Sequence, residues 1–167
     1  MANFKKIEDR RGFSIIEIAV VVAIAGVALI GILSVVVYSL RAQVTVRQSM
    51  QAAQYAKDAI EAVKSYRGQT SWDINGIGTL AAGANYHPAL ATDNASSSWT
   101  MALGAETIGP FSRTIVFDRI SRDPSSKNIE SAYNAANDDP ESRKMTVTLS
   151  WSEKNIQMTT YITNWLR

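Results

Sequence analysis

Glu17 is the side chain in this sequence that most needs a chemical reason. It directly precedes a run, 18–33, that contains no polar side chain. A carboxylate at the edge of such a run is costly enough to signal a function. Two kinds of chemistry suit it. It can lie at the headgroup level and complement the positive end of a helix dipole. It can also meet an amine in an interface between helices and set their stagger, because a buried charge pair fixes register better than it stabilises. Just upstream, Gly12 precedes Phe13, and a residue without Cβ lets the backbone lie extended and be approached closely.

Elsewhere the side-chain chemistry is thin. The chain has no cysteine, hence no disulfide framework, thiol nucleophile or thiolate metal site. His87 is the single histidine and stands beside Pro88 among turn formers, which reads as a surface residue. Serines are plentiful, but there is no Gly-x-Ser-x-Gly elbow and no metal-spaced histidine pair. Asp138, Asp139 and Glu141 are hard oxygen donors of the kind calcium takes, yet their spacing fits no calcium motif and reads as turn chemistry. The net charge of +2 comes with no dense basic patch interleaved with aromatics, so nothing points to nucleic acid. No catalysis, no cofactor and no metal are expected.

The elements that position Gly12, Phe13 and Glu17 follow from the hydropathy pattern. Residues 1–12 form a polar leader with Lys5, Lys6, Arg10 and Arg11 against Glu8 and Asp9. The apolar run of 18–33 resumes after Ser34 through Val35, Val36, Val37, Tyr38 and Leu40. A spanning helix needs about 20 such residues, and the basic leader would stay on the cytoplasmic side. Val and Ile favour strands in water, but in hydrocarbon only a helix satisfies its backbone within one segment. Ala23-Ile24-Ala25 mimics a signal cleavage site, but the apolar run continues through it and exceeds the roughly 7–15 residues of a removable signal. Gly26 and Gly31 thin the helix at mid-membrane; they could permit close packing or local melting, and glycine is also simply common in membrane helices.

Beyond the membrane the helix is expected to continue. Val46, Met50, Ala53, Ala56, Ile60 and Val63 recur at steps of three and four, with Arg47, Gln51, Gln54, Asp58, Glu61 and Ser65 opposite them. Arg67 and Gly68 suggest the end, a cation followed by a glycine cap. Residues 13–67 would then form one rod of roughly 80 Å. Residues 68–98 read as an irregular connection pinned by Trp72, Ile77, Leu80 and Tyr86. Alternation in 145–151, a polar loop at 152–155 and the Thr-, Tyr- and Ile-rich stretch 156–165 predict a hairpin. Stretches 111–120 and 99–103 predict further strands, and 122–143, with two Asp-Pro steps, predicts a loop. The fold class is α+β, a long N-terminal helix packed on a small antiparallel sheet. The divisions are a leader at 1–12, a transmembrane helix at 13–40 and an external domain at 41–167. Within that domain the helix covers 41–67, the loop 68–98 and the sheet 99–167. Residues from Val44 onward are expected to fold alone, because the helical stripe needs only the sheet to cover it.

The stretch Arg10-Arg11-Gly12-Phe13-Ser14-Ile15-Ile16-Glu17 resembles the class III signal of bacterial type IV prepilins and type II secretion pseudopilins. In that family a basic leader ends in Gly, Phe is the first mature residue and Glu is the fifth. The resemblance implies a prepilin peptidase that cuts between Gly12 and Phe13 and methylates the new Phe13 amine. That amine, with a reference pKa near ~7.7–8, would be the partner Glu17 lacks, within one helix or on a neighbouring subunit. Less specifically, Phe111-Ser112-Arg113-Thr114-Ile115-Val116, Val147-Thr148-Leu149-Ser150-Trp151 and Thr160-Tyr161-Ile162-Thr163-Asn164-Trp165 resemble the strand signature of PilV-type minor pilins and I-type minor pseudopilins. Many major pilins carry a helix-breaking proline in the apolar segment, and this chain has none. The implied protein is a structural subunit, a minor one, of a type IV pilus or secretion pseudopilus. It would sit single-pass in the inner membrane, N-terminus cytoplasmic and C-terminal domain outside, and then enter the filament. Its partners would be the membrane, the peptidase, other pilin or pseudopilin subunits and the inner-membrane assembly machinery. The rival reading is a signal-anchored extracytoplasmic binding module or an unrecognised enzyme, which would keep residues 1–12.

Overall fold

A computed structural model describes residues 12, 14–93 and 96–164. The chain divides into two compact units, 1–46 and 47–167, with a single helix, α1 (Ile15–Gln69), contributing to both. In the first unit every described residue from 15 to 40 is exposed apart from Gly26, which is half-exposed. This part of α1 is long and apolar enough to cross a membrane. The hydroxyl of Ser34 donates to the Ile30 carbonyl at 2.8 Å, so the polar residue that interrupts the apolar run is satisfied inside its own helix.

In the second unit residues 47–69 of α1 pack on a six-stranded antiparallel sheet. Its strands are β1 (Asn85–Asp93), β2 (Ser96–Leu103), β3 (Glu106–Ile108), β4 (Phe111–Ser121), β5 (Asp138–Trp151) and β6 (Lys154–Thr163). Their order is β2-β1-β4-β5-β6, with β3 paired to β4 beside β1. The expected α+β architecture is thus the observed one. Alternation is strict over 111–118 of β4 and 143–151 of β5: Phe111, Ile115, Phe117, Met145, Val147, Leu149 and Trp151 are buried in the core they share with the helix.

The helix offers the sheet a face rotated from the predicted stripe: Ala56 and Val63 are buried and Ile60 packs against the core as predicted, but the stripe's first residues are not covered. Val46 and Met50 are 54% and 68% exposed, and the buried residues are Ala52, Ala56, Ala59, Ala62, Val63 and Tyr66. The sheet explains the rotation. It presents Tyr86, Phe111, Phe117 and Trp151, and a core filled to close packing from one side takes small residues from the other. The polar side is as predicted, with Gln51, Gln54, Asp58 and Glu61 exposed.

The predicted loop 68–98 is corrected at both ends. The helix runs through Gly68 to Gln69, and β1 occupies 85–93 despite Pro88. Gly104 N–H donates to Asn85 O at 2.8 Å, so odd-numbered β1 residues exchange bonds with β2. Pro88 therefore turns its missing donor away from β2, and β4 pairs with β1 only at Asn85 and Tyr86. An edge position of this kind is where a strand tolerates proline. The predicted loop 122–143 is also too long, since β5 begins at Asp138. Arg119 pairs with Arg143 but Ile120 pairs with Asp139, so Pro140 lies in a bulge that absorbs it. The hairpin turn is shorter than predicted, only Ser152 and Glu153, with Ser152 at φ 49°. Trp165, the predicted end of the last strand, lies outside the described residues.

Trp72, Ile77 and Tyr86 are buried and Leu80 packs against the same core, as the sequence predicts. Trp72 Nε1 donates to Pro140 O at 3.1 Å and Tyr66 Oη to Asn75 O at 2.7 Å. A Cβ on Gly78 would lie 2.6 Å from Trp72 Cδ1 and 2.7 Å from Trp72 O, whereas one on Gly68 would meet nothing. Gly78→Ala is therefore expected to lower stability by about 1–3 kcal/mol through overpacking. Gly68→Ala, within the helix, is expected to raise it by up to ~1 kcal/mol. Urea unfolding midpoints of the two variants check this contrast; equal midpoints would mean that Trp72 yields.

Candidate functional site

The processing and assembly residues predicted from sequence are Gly12, Phe13 and Glu17. Gly12 is exposed and outside any regular element, and a Cβ built on it would touch nothing. Phe13 lies outside the described residues. The carbonyl of Ser14 accepts from Glu17 N–H at 3.0 Å and from Ile18 N–H at 3.2 Å, which makes Ser14 the N-cap position of α1. Glu17 is the acidic residue of the first turn, is exposed, and leads directly into the apolar segment. A carboxylate there complements the helix dipole and remains open to a partner from another molecule.

The second unit holds an open groove of about 610 Å³, where the β1–β2 hairpin leaves β4 and β3 begins. Arg113 reaches into it with only 8% of its side chain exposed. Its Nε and Nη2 donate to Glu106 Oε2 at 3.0 and 2.5 Å, and its Nη1 donates to the Tyr55 carbonyl of α1 at 3.0 Å. Sequence reading passed over this residue although the signal is present. In Phe111-Ser112-Arg113-Thr114-Ile115 the arginine falls on the core side of a strict alternation. A buried cation there has to find partners, and it finds them on two neighbouring elements.

The three acids considered for calcium do not converge. Asp139 Oδ2 accepts from Arg122 Nε at 2.5 Å, and its Oδ1 accepts from Glu141 N–H at 3.1 Å. Glu141 Oε2 accepts from Asn164 Nδ2. Burial alone would raise the Asp139 pKa, but hydrogen bonds from Arg122 and Ser142, the Arg122 charge and the Glu141 N–H outweigh it and hold the carboxyl below its ordinary value. Among the described residues no three His, Asp or Glu side chains are placed to hold a metal ion. His87 Nδ1 lies 3.3 Å from Gly104 O.

The site that the molecule offers is therefore the head of α1, an exposed glycine, a helix start at Ser14 and a carboxylate ahead of an uncovered apolar face. No family model, no curated protein and no solved structure matches the chain.

Proposed function

We propose that this chain is a filament subunit of the type IV pilin and type II secretion pseudopilin kind, anchored by its N-terminal helix before assembly and not an enzyme. The observation that carries the reading is the Gly12-Phe13 junction with Glu17 at the head of an apolar helix. The burial pattern supports it. Residues 15–40 bury nothing of their own, so lipid or other helices must cover them. Residues 47–167 carry a closed core without them. A chain built this way can exchange lipid for a bundle of identical helices while its sheet stays folded. Glu17 then meets the Phe13 amine of a neighbour, and the pair sets the stagger.

The reading predicts a mature chain that begins at Phe13 and carries one methyl group on its amine. Intact mass and N-terminal sequencing of the protein from native membranes check this. A chain that keeps Met1, or one that starts near Gly26, would favour the signal-anchored module.

A further inference from the structure

Among the described residues the strand order ends on β2 at one side and β6 at the other with no further strand beside either, and the pairing pattern fixes which backbone groups each presents. Asn164 N–H donates to Glu141 O at 2.7 Å. Counting along the β5–β6 register from there, even-numbered β6 residues exchange bonds with β5. The N–H and C=O of Asn155, Gln157, Thr159 and Tyr161 therefore point outward. Thr163 points outward too, but its carbonyl accepts from Arg67 Nε at 2.9 Å, which closes that end. By the same count from Gly104 N–H and Asn85 O, the outward residues of β2 are Ser97, Trp99, Met101 and Leu103.

Neither edge is guarded. From Asn155 to Thr163 and from Ser96 to Leu103 there is no Asp, Glu, Lys, Arg or Pro. Natural sheets usually blunt such edges with charge, proline or a bulge, because free N–H and C=O groups in a row template another strand. The covering partner must be an extended backbone, since that is what satisfies alternating donors and acceptors.

We propose that the two edges join copies of this chain, β6 of one subunit taking β2 of the next in parallel to make one continuous sheet. Every neighbouring pair in the order β2-β1-β4-β5-β6 is antiparallel, so β2, β4 and β6 run the same way. A copy shifted sideways across the sheet brings its β2 alongside β6 with matching polarity. In a parallel pair each outward residue sits opposite an inward one and bonds the two outward residues beside it, so 155, 157, 159 and 161 interleave with 97, 99, 101 and 103, and no charge is desolvated. The shift also keeps the α1 segments 47–69 pointing one way. An antiparallel pairing of β6 with a second β6 needs a two-fold axis perpendicular to the sheet, which reverses those segments. The inference rests on the filament reading at that point, since copies entering one membrane need a common helix direction. The contact is head-to-tail and does not close on itself, as a polymer requires.

The absence of native cysteine makes a direct test possible. Thr100 and Gln157 are exposed on the face of the sheet away from the helix, one on each edge strand. Full-length chain carrying Thr100→Cys and Gln157→Cys is treated in native membranes with a short bis-maleimide. The expected result is a ladder of dimers, trimers and longer species, with monomer alone from either single variant. Thr159→Pro removes an outward N–H that no bond within the sheet uses, as does Leu103→Pro on the other edge, where the residue is 72% exposed. Either is expected to abolish the ladder while the thermal midpoint of the chain stays in place. Dimers from Gln157→Cys alone, no ladder from the double variant, or a ladder that survives both proline variants would each overturn the proposal. The mass of the same bands reports processing separately. Retention of residues 1–12 counts against the filament reading, whereas a missing ladder on chains that begin at Phe13 counts against the edge contact alone.

Discussion

Replacing Phe117 by alanine is expected to remove about 3–5 kcal/mol of stability from the second unit. The ring is fully buried and packs edge-on against Tyr86 with centroids 6.0 Å apart. Its strand, β4, pairs along its length with β5 on one side and with β3 and β1 on the other. The Phe117 carbonyl also accepts from Gly83 N–H at 3.0 Å, tying the connection after the helix to the same point. Small side chains on the facing helix, Ala52, Ala56, Ala59 and Ala62, cannot swing in to fill the space, so the cavity stays open. A fragment starting at Val44 is expected to unfold in one cooperative transition, and Phe117→Ala to lower its Tm by roughly 10–20 °C. A drop of only a few degrees would show that the sheet closes over the gap. A broad transition in the unsubstituted fragment would show that partners complete the core.

Glu17→Ala is expected to leave cleavage and insertion intact and to exclude most chains from filaments. The proposed cut lies several residues upstream, and losing a charge makes insertion easier, so neither early step needs the carboxylate. Docking does, if Glu17 meets the Phe13 amine of a neighbour inside an apolar bundle. Leaving that amine buried and unpaired costs about 3–5 kcal/mol in comparable pairs, part of which the amine escapes by losing its proton. Glu17→Gln is expected to be milder, because the amide still accepts a hydrogen bond. Comparing sheared filament and membrane fractions measures the effect, with total filament counted as well as the share of the variant, because a priming subunit changes the former. Equal incorporation of Glu17→Ala would reduce the carboxylate to a partner of the helix dipole.

Legibility in the sequence followed the physics of each segment. Met145, Val147, Leu149 and Trp151 alternate without interruption, and the structure buries all four. β1 was illegible because Pro88 argues against a strand unless the open side of that strand is known, which only pairing reveals. The start of β5 was hidden in the same way by Pro140 and its bulge. Periodicity places the helix face only in part, burying Ala56 and Val63 as predicted, because it ranks residues by apolarity whereas the sheet selects by volume and takes Ala52 and Ala59 over Val46 and Met50. Arg113 stood in plain view on the buried side of β4. Gly12, Phe13 and Glu17 are legible as a motif, but what the motif implies lies in a peptidase and a neighbouring helix, so a single chain displays only the exposed carboxylate.

The contact between helix and sheet has a mechanical side. Along Ala52, Ala56, Ala59 and Ala62 the helix presents small side chains to the sheet, with the larger Val63 and Tyr66 buried towards its C-terminal end. Arg113 Nη1 grips the Tyr55 carbonyl at 3.0 Å, and Arg67 Nε grips the Thr163 carbonyl at 2.9 Å. The two grips sit about 18 Å apart along the helix axis, one on a central strand and one on the last. A tensile load carried along the helix therefore meets the sheet in shear, and two arginine rivets bear it. Beside those two bonds, side-chain packing, Val63 and Tyr66 among it, joins the helix to the strands, so such a load bears on that contact rather than on strand pairing.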